Sequence, residues 1–448
     1  MKELYQLPKE WKRVKLGEVA TYLNGRAFKP TEWKDIGKPI IRIQNLNKPE
    51  AKYNYTKEQF EERYKVVKGD LLFAWSASLG AYIWKGDEAW LNQHIFKVVP
   101  KNFTDKTYLF YLLEKIVQEL YAKAHGSGMV HVTKGKFEAT EIPFPPKPTQ
   151  EAIVSKIEEL FSELEKGIES LFTAQQQLKT YRQSVLKWAF EGKLTNSLNY
   201  DSNDLHEDYD LNIAAEDEAE YQTKKNQGNQ NNQINHSSDK GELPKGWKEV
   251  LLKDVCKIIG GVTKGRDFKR KETIHLPYLR VANVQDGYLD LEEMKTIEVL
   301  PSDKDKYKLL FGDILYTEGG DKDKLGRGTI WRNEVDDCIH QNHIFRARPL
   351  SREVDPKYIA YFSQTRSAKN YFFKNGKQTT NLASINLTIL SNLPLPLCSL
   401  KEQNNIVQEI ESRLSVADKM EESITQSLRQ AEALRQSILK KAFEGRLI

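Results

Sequence analysis

Two stretches of this 448-residue chain carry the same long apolar rhythm. In residues 150–194, Ile157, Leu164, Leu171, Leu178 and Val185 recur every seven residues, and Leu160, Ala174, Tyr181 and Trp188 fill a second register three residues on. In residues 403–447, Ile410, Ala417, Ile424, Ala431 and Ile438 repeat the first register, joined by Met420 and Leu434 in the second. A seven-residue period sustained over four heptads predicts coiled-coil helices, with Gly167 and Arg413 as imperfections in the seam. Prolines 145, 146 and 148 lead into one block and prolines 394 and 396 into the other. Gly192 and Gly445 stand where a helix C-terminus takes glycine. A helix of about 40 residues is about 60 Å long and would overhang a small domain. The two helices are therefore expected to pack on each other, antiparallel; packing of each on its own domain is the alternative.

Elsewhere the period changes. KPIIRIQNL (38–46), GDLLFAW (69–75), AYIWKG (81–86) and HIFKVVP (94–100) are short, rich in branched and aromatic residues and punctuated by glycine or proline, so they predict strands. Residues 108–124 show helical spacing, with Leu109, Leu112, Leu113, Ile116 and Leu120 on one face, and residues 358–374 are their counterpart.

That counterpart belongs to a duplication. LPKEWKRVKLGEVATYLNG (7–25) matches LPKGWKEVLLKDVCKIIGG (243–261), and IIRIQNL (40–46) matches YLRVANV (278–284). KGDLLFA (68–74) matches FGDILYT (311–317), NQHIFKVVP (92–100) matches QNHIFRARP (341–349), and IPFPP (142–146) matches LPLPL (393–397). The offset drifts from 236 to 251, then locks at 253 from Gln150 to Leu194, where about 20 of 45 positions are identical. The chain is thus a divergent module and a helix of fixed length, written twice. The expected fold is α+β: two similar mixed α/β domains, 1–148 and 243–400, with two long helices, 149–194 and 401–448, forming an antiparallel coiled coil with pseudo-twofold symmetry.

Charge sharpens the picture. Residues 195–242 hold about 11 Asp/Glu against about 3 Lys/Arg, are rich in Asn and Gln, and lack apolar periodicity, so they are expected to be an acidic linker. Against a net charge of +5, the rest of the chain carries about 5 + 8 = +13, the balance of a polyanion-binding protein or of a basic solvated surface. Three scattered cysteines argue against a disulfide framework or thiolate zinc site. No apolar run approaches a membrane span and no apolar signal segment opens the chain, so a cytoplasmic location is expected.

Motifs of catalysis are missing. No GxxxxGK[ST] loop, strand-following GxGxxG or HExxH is present, nor the Asn/Asp-Pro-Pro-aromatic tetrapeptide of enzymes that methylate base amino groups. His94 and His343 recur in matched stretches, and a structural role on strands is expected for both. A duplicated, basic, non-catalytic module suits recognition of two elements on one long polyanion. Duplex DNA offers phosphates throughout and base edges in its grooves. Unlike loops on like frames predict two different half-sites, and each added helical turn would lengthen a spacer by about 5.4 Å.

The ordered series of LPKEW and LPKGW openings, IPFPP-x3-Q and LPLPL-x5-Q leads, and RQSVLKWAFEGKLT and RQSILKKAFEGRL endings resembles the specificity subunits of type I restriction–modification enzymes, over the whole chain apart from the acidic linker. The resemblance implies two target recognition domains reading a bipartite asymmetric site in double-stranded DNA. It implies helices that dock two methyltransferase subunits, and a restriction subunit that joins for cleavage. It also implies that this chain is not an enzyme and binds no cofactor, S-adenosylmethionine, ATP and Mg belonging to the partner subunits. A self-contained DNA methyltransferase or nuclease, and a coiled-coil scaffold without nucleic acid, are the alternatives.

Loops between matched strands are the candidate DNA contacts: Ser76, Ser78, Ser127, His131, Thr133 and Lys134 in the first domain, and Lys322, Lys324, Arg327, Lys377, Gln378, Thr379, Thr380 and Asn381 in the second. Cations supply counterion release, while amides and hydroxyls can read base edges. Arg42 with Asn45 and Arg280 with Asn283 recur at matched positions, as a shared phosphate contact or as structure. Trp11 and Trp247 are expected to anchor packing. The repeated helix endings, Arg182, Gln183, Lys187, Phe190 and Glu191 with Arg435, Gln436, Lys440, Phe443 and Glu444, are a candidate partner surface or the packing of the helix ends.

Overall fold

The structure, a computed structural model, describes residues 7–48, 50–76, 78–123, 133–196, 243–269, 271–320, 325–378 and 383–448. The chain divides into two compact units: residues 1–172 with 425–448, and residues 173–424. The helix α1 (Lys106–Lys123) belongs to the first unit and α3 (Pro356–Ser363) to the second. The long helices α2 (Lys147–Phe190) and α4 (Leu400–Phe443), of 44 residues each, contribute to both.

Each unit is built from the same sheets. In the first, an antiparallel sheet runs Ala20–Asn24, Ile95–Pro100, Leu71–Ala74, Gly80–Ile83. A second sheet runs Asn54–Thr56, Lys38–Ile41, Ala89–Leu91, Lys65–Val66, with the middle pair parallel. In the second unit Cys256–Gly260, Ile344–Pro349, Ile314–Thr317 and Gly328–Ile330 repeat the antiparallel sheet, and Ile274–Leu279 again pairs in parallel with Ile339–His340. Leu71–Ala74 and Ile314–Thr317 are buried at every position, as expected of strands covered on both faces. Asp70 and Asp313 lead into these strands and fold back: Val67 N donates to Asp70 Oδ2 at 2.8 Å, and Leu310 N to Asp313 Oδ2 at 2.7 Å.

The apolar face of α1, with Leu109, Leu112, Leu113 and Ile116 buried, packs with Tyr22, Phe73, Phe96 and Phe137. Its counterpart is broken in two. Pro356–Ser363 and Arg366–Asn375 are separate helices because the Thr365 hydroxyl caps the second, accepting from Ala368 N at 3.2 Å. KPIIRIQNL is likewise a strand only through Ile41. Arg42 N then donates to Asn45 Oδ1 at 3.1 Å, opening a short helix over Ile43–Asn47, and Arg280 N donates to Asn283 Oδ1 at 2.9 Å in the twin. Side-chain capping wins over β propensity in both copies.

The start of each long helix packs with the end of the other, so they run antiparallel. Ile153, Ile157 and Phe161 share a core with Ile438, Leu439, Ala442 and Phe443 in the first unit. Val185, Leu186, Ala189 and Phe190 share one with Ile406, Val407 and Ile410 in the second. The first heptad register is the seam: Ile157 and Val185 are buried, as are Ile410, Ala417, Ile424, Ala431 and Ile438. The second register holds on the first helix only: Trp188 is buried and Leu160 and Tyr181 pack against the cores, but Met420 and Leu434 are 54% and 51% exposed. A further register lies four residues on from the first, at Phe161 and Ala189 and at Leu414 and Ala442. At 3.6 residues per turn, a step of four lands about 40° from the first register and a step of three about 60° to the other side. A Cβ on Gly167 would stand in open space, outside the seam, and Arg413 pairs with Glu409 on its own helix at 2.9 Å.

The openings of the repeat dock on its endings. Gly192 and Gly445 both adopt φ +71°, ending their helices. A Cβ on Gly192 would meet Pro244 Cγ at 2.5 Å and Trp247 at 3.8 Å, and one on Gly445 would meet Pro8 Cγ at 2.4 Å and Trp11 at 3.5 Å. Each LPKxW segment thus lies against an AFEG turn. The lead-in glutamines are equally matched. Buried Gln150 accepts from Asp105 N (2.8 Å) and donates to Phe103 O (3.2 Å) and Pro145 O (2.9 Å). Buried Gln403 accepts from Asp355 N (2.9 Å) and donates to Glu353 O (3.2 Å) and Cys398 O (2.9 Å). No helix among the described residues is long and apolar enough to cross a membrane.

Candidate nucleic-acid interface

In the first unit the strand Leu71–Ala74 runs into a bend at Ser76 and Ser78. Ser78 N donates to Ser76 O at 2.7 Å, and its hydroxyl takes a hydrogen bond from Asn47 Nδ2 at 3.1 Å. The same Asn47 accepts from the Tyr82 hydroxyl through Oδ1 at 2.6 Å. Burial, with Tyr121 adding to it, raises the Tyr82 phenol above its ordinary range, so it remains a donor. Two loops distant in sequence therefore meet at one amide. Thr133 and Lys134 lie at the start of the short helix Lys134–Glu138, both exposed, with Lys134 3.6 Å from Glu138. Ser127 and His131 fall outside the described residues.

The second unit keeps the frame and changes the contents. Gln285, five residues after Arg280 as Asn47 is five after Arg42, accepts from Arg327 Nη1 at 2.7 Å. Gly319–Gly320, Ala383–Ser384 and Lys377–Gln378 form a three-stranded ribbon. Strands from 317–328 and 376–384, the stretches that hold the second domain's candidate contacts, are thus hydrogen-bonded neighbours. Lys377 is exposed on that ribbon and Gln378 is in it; Lys322, Lys324, Thr379, Thr380 and Asn381 fall outside the described residues.

The matched histidines sit in turns before their strands rather than on them, and differ in company. Trp75 N donates to His94 O at 3.2 Å, with the two rings edge-on 5.3 Å apart. Glu318 N donates to His343 O at 2.9 Å, but here the side chains meet each other, His343 Nδ1 lying 2.5 Å from Glu318 Oε2, and the His343 side chain is 53% exposed. The structural histidine is His340, wholly buried with Nδ1 2.8 Å from Ile344 O; burial pushes its pKa down to about 3, with the backbone contact opposing and Arg346 and Arg348 assisting. Sequence reasoning left out Asn47, Tyr82, Gln285 and Glu318. Asn47 and Gln285 had a signal, a constant distance from a repeated Arg-x-x-Asn.

The repetition of Arg-x-x-Asn is explained by its asparagines. Asn45 and Asn283 are buried, capping from Oδ1 and donating from Nδ2 to Ala51 O (3.2 Å) and Asp290 O (2.8 Å) respectively. Arg42 lies over the Trp33 ring at 5.5 Å, and Arg280 donates to Glu293 O at 2.7 Å.

The helix endings do not form one outward surface. Phe190 packs on Tyr358 and Phe362, and Phe443 on Tyr108, with ring centroids 4.9, 5.2 and 5.2 Å apart. Burial of these two apolar rings in their own units assigns them to the core. Arg182 lies 2.7 Å from Asp418 and 2.9 Å from Glu421; Arg435 lies 3.7 Å from Glu165, 3.9 Å from Glu114 and 4.2 Å over the Phe161 ring. Both arginines therefore turn into the seam. Of the rest, Lys187, Lys440 and Gln436 are exposed and Gln183 is half-buried, while Glu191 and Glu444 pair with Lys193 and Arg446.

Residues 8–171 and 244–430 match the family described as type I restriction modification DNA specificity domain. The chain belongs to this family. Among relatives of the DNA specificity family, the type I restriction enzyme EcoBI specificity subunit of Escherichia coli is 27% identical over 454 residues, covering 99% of this chain and 88% of that protein. The EcoKI specificity subunit of Escherichia coli strain K12 is 24% identical, covering 99% and 90%. The fold is shared with a chain from a structure on complex assembly and conformational transition of the type I R-M system, at TM-score 0.64 and 18% identity over 99% of this chain and all of that one. It is shared also with the HsdS subunit from Thermoanaerobacter tengcongensis, at TM-score 0.54 and 20% identity over 99% of both. The specificity-domain fold thus accounts for both α/β domains and both long helices. Among the described residues no group of three or more His, Cys, Asp or Glu side chains is placed to hold a metal ion.

Proposed function

We propose that this chain is the DNA-reading subunit of a type I restriction–modification enzyme, each α/β domain specifying one half of a two-part, asymmetric site. One observation carries the reading: the same frame occurs twice with different side chains at matched positions. Trp75 faces His94 where Glu318 faces His343, and Asn47 meets Ser78 and Tyr82 where Gln285 meets Arg327. A repeated frame with unlike contents is what reading two different short sequences requires. The chemistry would belong to partners: two methyltransferase subunits binding S-adenosylmethionine, and restriction subunits using ATP and Mg. Lys187, Lys440 and Gln436 are exposed on the helix surface, where such partners would dock.

The test is to co-express the chain with its methyltransferase partner and map methylated positions across genomic DNA. A two-part motif with a constant gap is expected, and exchange of residues 243–400 for another such domain should change one half only. A continuous palindrome, or methyl transfer by the isolated chain, would overturn the reading. Binding to duplex DNA should weaken steeply as salt rises; a scaffold without nucleic acid would show no such binding.

A further inference from the structure

We propose that Asn47 and the Gln285–Arg327 pair are the matched base-reading positions of the two domains, Asn47 selecting an adenine and Arg327 a guanine. The proposal rests on the DNA-reading role above and says which residues set the sequence.

The first argument is position. Asn45 and Asn283 anchor their loops in the same way, each capping from Oδ1 and tying its Nδ2 to backbone carbonyls further along the loop. Both loops are thereby held in one shape. Two residues on, at Asn47 and Gln285, the shape is shared and the chemistry is not. In each unit this residue also meets the segment that follows the central strand, through Ser78 and Tyr82 in one and Arg327 in the other. A site that must differ between two readers on one frame is expected at such a place.

The second argument is the count of hydrogen-bonding groups. An asparagine amide has two N–H donors and two acceptor lone pairs. Asn47 spends one donor on Ser78 and one lone pair on Tyr82, and it is exposed. One donor and one acceptor remain, fixed in direction by the other two. That is the pattern the major-groove edge of adenine takes, with N7 accepting and N6 donating. An arginine has five donors and no acceptor. Gln285 Oε1 takes one, at Arg327 Nη1, while Gln285 Nε2 is itself tied to Ala282 O at 2.7 Å. The guanidinium is thus pinned by an amide that is itself pinned. Two parallel donors suit the O6 and N7 acceptors of guanine. Gln285 is a positioning residue in this arrangement and Arg327 the reader.

The experiment is the methylation map of the full chain with its methyltransferase partner, repeated for Arg327→Lys, Arg327→Ala, Gln285→Glu, Gln285→Ala and Asn47→Ala. The wild-type map decides the DNA-reading role by itself, through the presence or absence of a two-part motif. Given such a motif, Arg327→Lys keeps the positive charge and loses the fork, so it should relax one guanine in one half by roughly ten- to a hundredfold, leaving the other half and the gap intact. Arg327→Ala should do the same with lower total methylation. Gln285→Ala should relax that same position, and Gln285→Glu, which keeps the acceptor for Arg327 and loses only the donor to Ala282 O, should relax it less. Asn47→Ala should relax one adenine in the opposite half only. An unchanged motif at lower occupancy in Arg327→Lys and Asn47→Ala would assign these residues to structure or phosphate contact, and relaxation of both halves together would equally overturn the proposal.

Discussion

The Arg182 guanidinium lies 2.7 Å from the Asp418 carboxylate, and adding the repeat offset of 253 to Arg182, or subtracting it from Asp418, gives Arg435 and Glu165, which lie 3.7 Å apart. One ion pair is thus written twice across the seam. The arginines are about a quarter to a third exposed and the acids more than two thirds, so solvent screens both pairs. A double-mutant cycle on Arg182 and Asp418, read by chemical denaturation, should give a coupling below about 1 kcal/mol that shrinks as salt rises. A coupling of several kcal/mol, insensitive to salt, would contradict this account.

Gly192→Ala and Gly445→Ala should each destabilise the unit that holds the residue, by about 1–3 kcal/mol, from the cost of a left-handed conformation and the push on proline. Thermal denaturation measures the loss. For the second change, Pro8→Ala in the same chain removes the atom that the new methyl meets at 2.4 Å, so part of the loss should return. No recovery would mean that backbone strain alone is responsible.

Removal of the lead-in glutamine should be expensive. Gln150→Leu leaves Asp105 N, Phe103 O and Pro145 O without their side-chain partner, and a loss of about 2–4 kcal/mol is expected in equilibrium unfolding. Gln403→Leu should cost a similar amount, because its three bonds are the same. A loss below about 1 kcal/mol for either would show that water or movement replaces those contacts.

His340 makes the second unit sensitive to acid. Its folded pKa is lowered, so between about 6.5 and about 3 the unfolded chain binds the proton and the folded one does not. Stability is then fully present above the unfolded value and falls as pH drops through that window, by at most about 1.4 kcal/mol per pH unit from this group. Leu91 holds the matching place in the first unit. His340→Leu should flatten the pH dependence of second-unit unfolding while leaving the first unit's unchanged. A slope that survives the substitution would point to other groups.

Duplication, the long helices and most strands were legible because they depend on period and on exact repetition. The seam's second register was legible on the first helix, at Leu160, Tyr181 and Trp188, and misplaced on the second. Met420 and Leu434 are apolar and exposed, and only the side of the helix that is covered decides between a step of three and a step of four. Strand ends were misplaced where a side chain captured the backbone, as Asn45 does after Ile41. Phe190 and Phe443 read equally as interface or core, and the rings of Tyr358, Phe362 and Tyr108 that cover them lie far away in sequence. The candidate interface was half visible: stretches 317–328 and 376–384 of the second domain lie apart in the sequence, and their joining into one ribbon is a property of strand pairing alone. Asn47 lies in no such stretch, and its importance comes from what it touches.

The first unit is closed by residues 425–448, which are made only after the whole of the second unit, whereas the second is assembled from one uninterrupted run, residues 173–424. On the ribosome the second unit can therefore be completed before the first. The early domain waits, with the face meant for Ile438, Leu439, Ala442 and Phe443 uncovered, until that segment is translated. A stop codon directly after residue 424 would spoil the domain encoded first and spare the one encoded second.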